Sequence, residues 1–318
     1  MQNNYDIIII GTGSGGSTIA AKLVNSGKRI LILERGGFIP KEKQNWDPHE
    51  VVTVGRYRPK ENWYDKENKP FAPYIHYNVG GNSKMYGAAL FRFREKDFEE
   101  TEHYGGISPA WPFGYETLRP YYDEAEIMYH VHGLRGSDPT EPPANSPYPL
   151  PSLPYEPFIK DLSSKLTRLG LHPFPLPMGV RLPQDESRYS SPVVLENFDG
   201  FPDPTDAKAD AQTSALNTAL KNENISLLIN AFAQRLVTDS SGKRVIAAEV
   251  MINEQKITFT ADLFIVACGA VNTAALMLRS SNVHHPNGLA NSSGLVGKNL
   301  MLHHNGCLVA FTNKKNDS

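Results

Sequence analysis

The feature that most constrains this chain stands near its start: an apolar run, Tyr5 to Ile10, closes on Gly-Thr-Gly-Ser-Gly-Gly, Gly11 to Gly16. Its four consecutive isoleucines read as a strand buried on both faces, as in a parallel sheet. Ser17 to Ser26 then carries Ile19, Ala20, Leu23 and Val24 at helical spacing, with Gly27 suited to the C′ position. Arg29 to Leu33 is a second apolar run, which completes a βαβ unit. The glycines have separate tasks. Gly11 permits the tight turn, Gly13 lets the backbone approach a pyrophosphate, and Gly16 lets the helix sit close on the sheet. Ser14 and Gly15 belong to the helix N-terminus, where free N–H groups and the helix dipole favour phosphate. Glu34, 23 residues after Gly11, ends the second strand, where a carboxylate accepts bonds from a ribose diol; Arg35 follows it. An exposed acid at a strand end is the plain alternative. A carboxylate there also disfavours a 2′-phosphate, and so NADP. The fingerprint alone does not separate FAD from NAD, though its place at the N-terminus favours FAD.

With 318 residues, the chain suits one large α/β domain with insertions or two intertwined domains. A net charge of -2 and a pI near 6.6, with no polybasic patch, imply neither nucleic acid nor an anionic membrane as partner. The two cysteines, Cys268 and Cys307, form no CxxC and read as ordinary thiols of a reducing compartment. The opening MQNNYDIIII has no basic n-region or cleavage site, and its apolar run is too short to span a bilayer. A cytoplasmic location is the expectation.

Residues 38–79 are rich in Pro, Trp, Tyr and charge and read as an excursion from the sheet. Arg92 to Tyr104 reads as partly helical, Leu118 to Met128 as helix, and Phe158 to Leu169 as an amphipathic helix. Pro139 to Pro157 holds eight prolines, so it is an extended coil, either a linker or a wrap across another surface. Ala207 to Leu220 reads as a helix. Ile225 to Asn230, Ala233 to Thr238, Arg244 to Ile252 and Lys256 to Phe264 read as strands, the last two joined by a turn at Asn253 and Glu254. Leu263 to Ala267 reads as a buried strand and Thr273 to Arg279 as a helix.

Four further segments resemble the glucose-methanol-choline (GMC) oxidoreductase family over essentially the whole chain. YNVGGNSKMYGAALFRFREKDF resembles the family's second glycine motif, which passes the flavin and pyrophosphate. The resemblance makes Gly80, Gly81, Asn82 and Ser83 cofactor contacts and puts Tyr86 where many members carry asparagine. No histidine lies between Gly80 and Phe91, so the resemblance implies non-covalent FAD. ISLLINAFAQRLV resembles the strand that holds the adenine edge, with Ala231 and Phe232 nearest. IVACGAVNTAALMLRS matches the family's G-A-x-x-[ST]-P-x-[IL]-L segment at Gly269, Ala270 and Thr273, with Ala274 in place of the proline. GLVGKNLMLHH matches V-G-x-N-L-x-D-H at Val296, Gly297, Asn299, Leu300 and His303, with Leu302 in place of the acid.

The resemblance implies an α/β Rossmann-like FAD-binding domain with long insertions and part of a substrate domain. Residues 1–37 and 207–304 would form its discontinuous core, 38–110 the flavin-contacting loop and excursion, 111–206 an insertion or partial cap, and 305–318 a tail. It also implies oxidation of a CH–OH donor, an alcohol, sugar or polyol, with hydride passing to flavin N5. The family's catalytic histidine and its histidine or asparagine partner lie beyond this chain's length, so no catalytic residue is assigned. The chain reads as incomplete for catalysis, either completed by a C-terminal polypeptide or self-associating. The alternative is a non-catalytic flavin-binding subunit that supports a partner. The adjacent pairs His284–His285 and His303–His304 would point to opposite faces of a strand and make poor chelates, so no metal is expected.

Overall fold

The computed structural model describes residues 4–182 and 198–301, together with 306, 309 and 311. Two compact units form. One comprises Met1–Gly87, Asp185–Asp206 and Asp210–His303; the other comprises Ala88–Gln184, Ala207–Ala209 and His304–Ser318.

The first unit is built on six strands: β1 (Asn4–Ile10), β2 (Ile30–Leu33), β3 (Ile225–Leu228), β4 (Phe232–Thr238), β5 (Val245–Ile252) and β6 (Gln255–Val266). Their spatial order is β3-β2-β1-β6-β5-β4. The first four in that order run parallel, and β5 and β4 continue the sheet antiparallel. The isoleucine run explains why β1 lies inside. Ile8 and Ile10 pack with Leu31, Leu33, Phe259 and Leu276 on one face, while Ile7 and Ile9 pack with Ile30, Ile32, Ala20 and Leu216 on the other. Each buried isoleucine contributes about 1.5–3 kcal/mol. Helix α1 (Ser14–Lys22) serves the second face and helix α2 (Gly269–Arg279) the first.

Chain order places the functional end. From β1 the chain moves outward through β2 to β3, whereas β6 lies on the other side of β1. The carboxyl ends of β1 and β6 therefore flank the crevice where open α/β sheets bind ligands. The Ala267 N–H donates to the Ile10 carbonyl at 2.8 Å, closing the two strand ends together.

Two glycines make this closure possible. Gly11 has φ +102°, and a Cβ there would meet the Ala267 carbonyl oxygen at 2.4 Å. A Cβ on Gly16 would lie 2.0 Å from the Gly11 carbonyl oxygen. Gly16→Ala should therefore force α1 off the turn and cost about 2–3 kcal/mol, read as a lower urea midpoint with an unchanged slope.

Some expectations shift. Helix α1 begins at Ser14 and yields to a 3₁₀ turn at Val24–Ser26, with Gly27 left-handed at φ +66°. The expected helix from Ala207 to Leu220 is shorter: a π-type turn, Gln212–Leu216, followed by Asn217–Ala219. Residues 207–209 are extended instead, with Lys208 bridged to Val180 and the Ala209 N–H donating to the Gly179 carbonyl at 3.0 Å. Those backbone bonds compete successfully with an alanine-rich helical pattern. The two expected runs Lys256 to Phe264 and Leu263 to Ala267 are one continuous strand, β6, on which Leu263 is 51% exposed rather than buried. At the turn before it, Asn253 and Glu254 are both left-handed, as a two-residue hairpin loop requires.

The second unit carries helices Tyr115–Met128 and Pro157–Arg168 and a small sheet of Leu150–Pro151, Val131–Gly133 and Met178–Gly179. The segment after Arg92 forms a 3₁₀ turn, Glu95–Phe98, and a short hairpin. The proline-rich segment wraps rather than links. The Tyr148 ring lies so close to Gly133 that a Cβ there would come within 2.5 Å of it. The Arg135 guanidinium stands 3.7 Å over that ring, and the Tyr148 hydroxyl donates to Glu141 at 2.6 Å. Among the described residues, no helix is long and apolar enough to cross a membrane.

Candidate functional site: a dinucleotide cavity at the sheet's carboxyl edge

A cavity of about 830 Å³ opens at the crevice between β1 and β6. It brings together Gly11, Gly13, Ser14, Gly15, Glu34, Arg35, Gly81, Asn82, Ser83, Ala231, Gly269 and Ala270, residues spread over most of the sequence. Gly16, Gly80, Tyr86 and Asn299 do not reach its wall. Gly16 packs beneath the turn, and Asn299 is exposed.

Gly13 is the opening onto the cavity. It precedes α1 in an extended conformation, φ -64° and ψ -174°, and a Cβ there would meet nothing within 4 Å. The second glycine loop presses on it from the side: a Cβ on Gly81 would come within 3.2 Å of the Gly13 Cα. Gly11 and Gly16 are thus required by the protein's own backbone, whereas Gly13 borders open space on the cavity wall.

Glu34 is buried, 7% exposed, and faces the turn. Its Oε2 accepts from the Thr12 N–H at 3.0 Å and the Thr12 hydroxyl at 2.5 Å, and its Oε1 accepts from the Gly36 N–H at 2.9 Å. Burial pushes its carboxyl above the ordinary range, against the pull of those bonds. These bonds hold the carboxylate against the turn at the cavity wall. Thr12, wholly buried, was not singled out from sequence, since the second position of G-x-G carries no signal of its own. Its hydroxyl also accepts from the Gly80 N–H at 3.0 Å, so it ties the second glycine motif to Glu34.

Other side chains on the wall spend their bonds inward. The Ser83 hydroxyl donates to the Gly80 carbonyl at 2.6 Å and accepts from the Ala211 N–H at 2.9 Å, so its one proton is already engaged. Asn82 accepts from the His76 N–H at 2.9 Å and donates to the Tyr74 carbonyl at 2.8 Å. The Ala231 N–H is taken by the Glu34 carbonyl at 2.8 Å. Cys268 donates to the Ile10 carbonyl at 3.3 Å, and burial, with the Glu34 charge, pushes its thiol up to about 12. It is therefore an unreactive thiol at neutral pH. His76, Tyr77, Phe232, Asn272, Thr273, Arg279, Val296 and Gly297 also line the wall; of these, Asn272, Arg279 and the residues of the excursion carried no local signal.

His284 and His285 do not sit on a strand. Both rings reach one turn, His284 Nε2 to the Ser240 carbonyl at 3.0 Å and His285 Nε2 to the Gly242 carbonyl at 2.7 Å. The His303–His304 pair and Cys307 lie outside the described residues. Among the described residues, no three His, Cys, Asp or Glu side chains converge as a metal site.

This is a nucleotide-binding α/β unit, with its ligand edge at the topological switch point. The chain belongs to the GMC oxidoreductase family, whose sequence model matches residues 5–305. It is similar to paromamine 6'-oxidase of Streptomyces fradiae, 29% identical over 94% of this chain and 53% of that enzyme. It is also similar to the fructose dehydrogenase large subunit of Gluconobacter japonicus, 28% identical over 94% of this chain and 58% of that subunit. Among solved structures, pyridoxine 4-oxidase from Mesorbium loti shares the fold, with a TM-score of 0.57 at 20% identity over 87% of this chain and 52% of its own. The chain spans about half the length of these relatives.

The cofactor is FAD, and the residues fit it. Gly13 is open at the N-terminus of α1, where a pyrophosphate would be held, and Glu34 lines the same cavity, where its carboxylate would accept from a ribose hydroxyl. Such a bond is strongest to the ionised carboxylate. FAD affinity should therefore be highest above the raised Glu34 pKa and fall as pH drops through it. Glu34→Gln should weaken FAD about 10- to 100-fold at neutral pH and remove that pH step, measured by titrating the flavin-free protein. For the flavin-free chain the sign is opposite. A carboxyl with a raised folded-state pKa contributes stability that is present below its unfolded pKa and is lost as pH rises through the folded one.

Proposed function

We propose that this chain is the FAD-binding part of an oxidoreductase acting on a CH–OH group of a small alcohol, sugar or polyol. FAD, when bound, accepts the hydride of such a donor. The chain's own residues hold and screen it. Gly13 and the first turn of α1 receive the pyrophosphate, Glu34 receives the ribose, and the Gly81 loop closes beside the turn. Catalysis also needs a group that takes the hydroxyl proton, and none is assigned among the described residues. His76 lies on the wall with its Nδ1 3.3 Å from the Asn82 side-chain oxygen.

The observation that carries this reading is the cavity at the β1–β6 switch point, with Gly13 open on its wall at the N-terminus of α1. The relatives' names, an oxidase of an aminoglycoside and a dehydrogenase of a sugar, support a hydroxyl-bearing substrate. The name of the second, a large subunit, supports a second reading in which this chain carries FAD for a partner polypeptide. A cytoplasmic location fits the free, half-buried Cys268 thiol.

The test is anaerobic mixing of the FAD-loaded chain with a panel of alcohols and sugars. FAD retention without substrate-driven bleaching is expected from the chain alone, with bleaching restored when a completing polypeptide is co-expressed. Rapid bleaching by the chain alone would show that a base lies within it. Binding of NAD in place of FAD would overturn the proposal.

A further inference from the structure

Arg35, Tyr77, Phe232 and Arg279 are among the side chains that line the cavity. The Arg35 guanidinium packs against two rings at once, 3.9 Å from the Tyr77 centroid and 4.1 Å from that of Phe232. Arg279 lies 5.2 Å over the same Phe232 ring, its Nε donating to the Gln234 carbonyl at 3.2 Å. Among the described residues no carboxylate pairs with Arg279. Two cations therefore share one ring, and of the two only Arg35 has a hydrogen-bonded carboxylate partner among the described residues.

That compensation comes from Glu61, in the excursion. Arg35 Nη2 donates to Glu61 Oε2 at 2.5 Å and Nη1 to Oε1 at 3.2 Å, and the Tyr77 hydroxyl donates to the same Oε1. One carboxylate thus fixes both the guanidinium and one of the rings it packs on. The pair is about a third exposed, so it adds little to folding; its two-point geometry instead fixes orientation. Burial works to raise the Glu61 carboxyl, but the bonds from Arg35 and Tyr77 outweigh it and hold the carboxyl below its ordinary range. Burial, with the Glu61 bond, pushes Tyr77 up to about 12, so the phenol remains a donor.

We propose that Glu61 is a positioning residue for the adenosine half of the cofactor. Through Arg35 and Tyr77 it sets the cationic and aromatic wall against which the adenine end of FAD packs, and it offsets the charge that Arg35 would otherwise direct at Arg279. The proposal rests on the reading of this cavity as an FAD site.

Calorimetric titration of the flavin-free chain with FAD and with ADP tests it, using Glu61→Gln, Arg35→Met and the double variant. Glu61→Gln should weaken FAD and ADP by the same factor, about tenfold, because both share the adenosine half. In the Arg35→Met background Glu61→Gln should add well under its own tenfold loss, because only its hold on Tyr77 is left to lose, an outcome that a general loosening of the fold would not give. Should Glu61→Gln fail to fold, Arg35→Met alone must still weaken FAD and ADP equally. Parent-like affinity in Glu61→Gln, or a full tenfold loss on top of Arg35→Met, would overturn the proposal. If the parent chain binds neither FAD nor ADP, it is the FAD reading itself that fails.

Discussion

Gly13→Val should purify with its fold intact and its FAD gone. The backbone at Gly13 is extended, φ -64° and ψ -174°, which a valine adopts without strain. A Cβ there touches no protein atom within 4 Å, so the sheet and α1 lose nothing. Its methyl groups would instead fill the space through which a pyrophosphate reaches the helix N-terminus. Losing two charge-assisted bonds of about 1.5–3 kcal/mol each weakens binding at least ~100-fold. The measurement is flavin absorbance per chain, paired with far-ultraviolet circular dichroism. The contrast with Gly16→Ala is informative, because there the backbone objects and the fold should soften whether or not FAD is present.

Glu126→Ala should be the most destabilising change in the second unit. Glu126 receives Arg92 Nε at 2.6 Å and Nη2 at 2.7 Å, and Arg135 Nη2 at 2.7 Å. The Arg92 side chain is 1% exposed and that of Glu126 is 6%. Asp123 takes a further bond from Arg92 Nη2 at 2.7 Å, and Glu141 one from Arg135 Nη1 at 2.7 Å. Without Glu126, two guanidiniums face each other across a site that water reaches poorly, and Arg92 keeps a single carboxylate. Breaking one side of a buried pair costs about 3–5 kcal/mol. Urea unfolding should show that loss, and Glu126→Gln, which keeps some hydrogen bonding, should show less. A loss below about 1 kcal/mol would mean that water enters the cluster freely.

Much of the first unit was legible because its cues are local. Four isoleucines need two buried faces, the glycine turn needs backbone freedom at Gly11, and an acid at the end of β2 sits beside that turn whatever follows. The Asn253–Glu254 turn was legible for the same reason. The pairings that finish the site were not. Thr12 with Gly80, and Arg35 with Glu61, are 68 and 26 residues apart, and only tertiary packing brings them together. The sequence also does not show which way a polar wall residue spends its bonds: Ser83 and Asn82 reach the cavity, yet their hydrogen bonds turn back to hold the loops. Residues 207–209 went astray because alanine and lysine favour a helix locally, while the carbonyl of Gly179 offered a better partner.

The most direct measurement is an equilibrium titration of the flavin-free 318-residue chain with FAD, with ADP and NAD as competitors. The account predicts one FAD bound per chain, displaced by ADP and not by NAD, with that binding gone in Gly13→Val and retained in a surface control. An FAD affinity unchanged by Gly13→Val, or a site that takes NAD and rejects FAD, would contradict it.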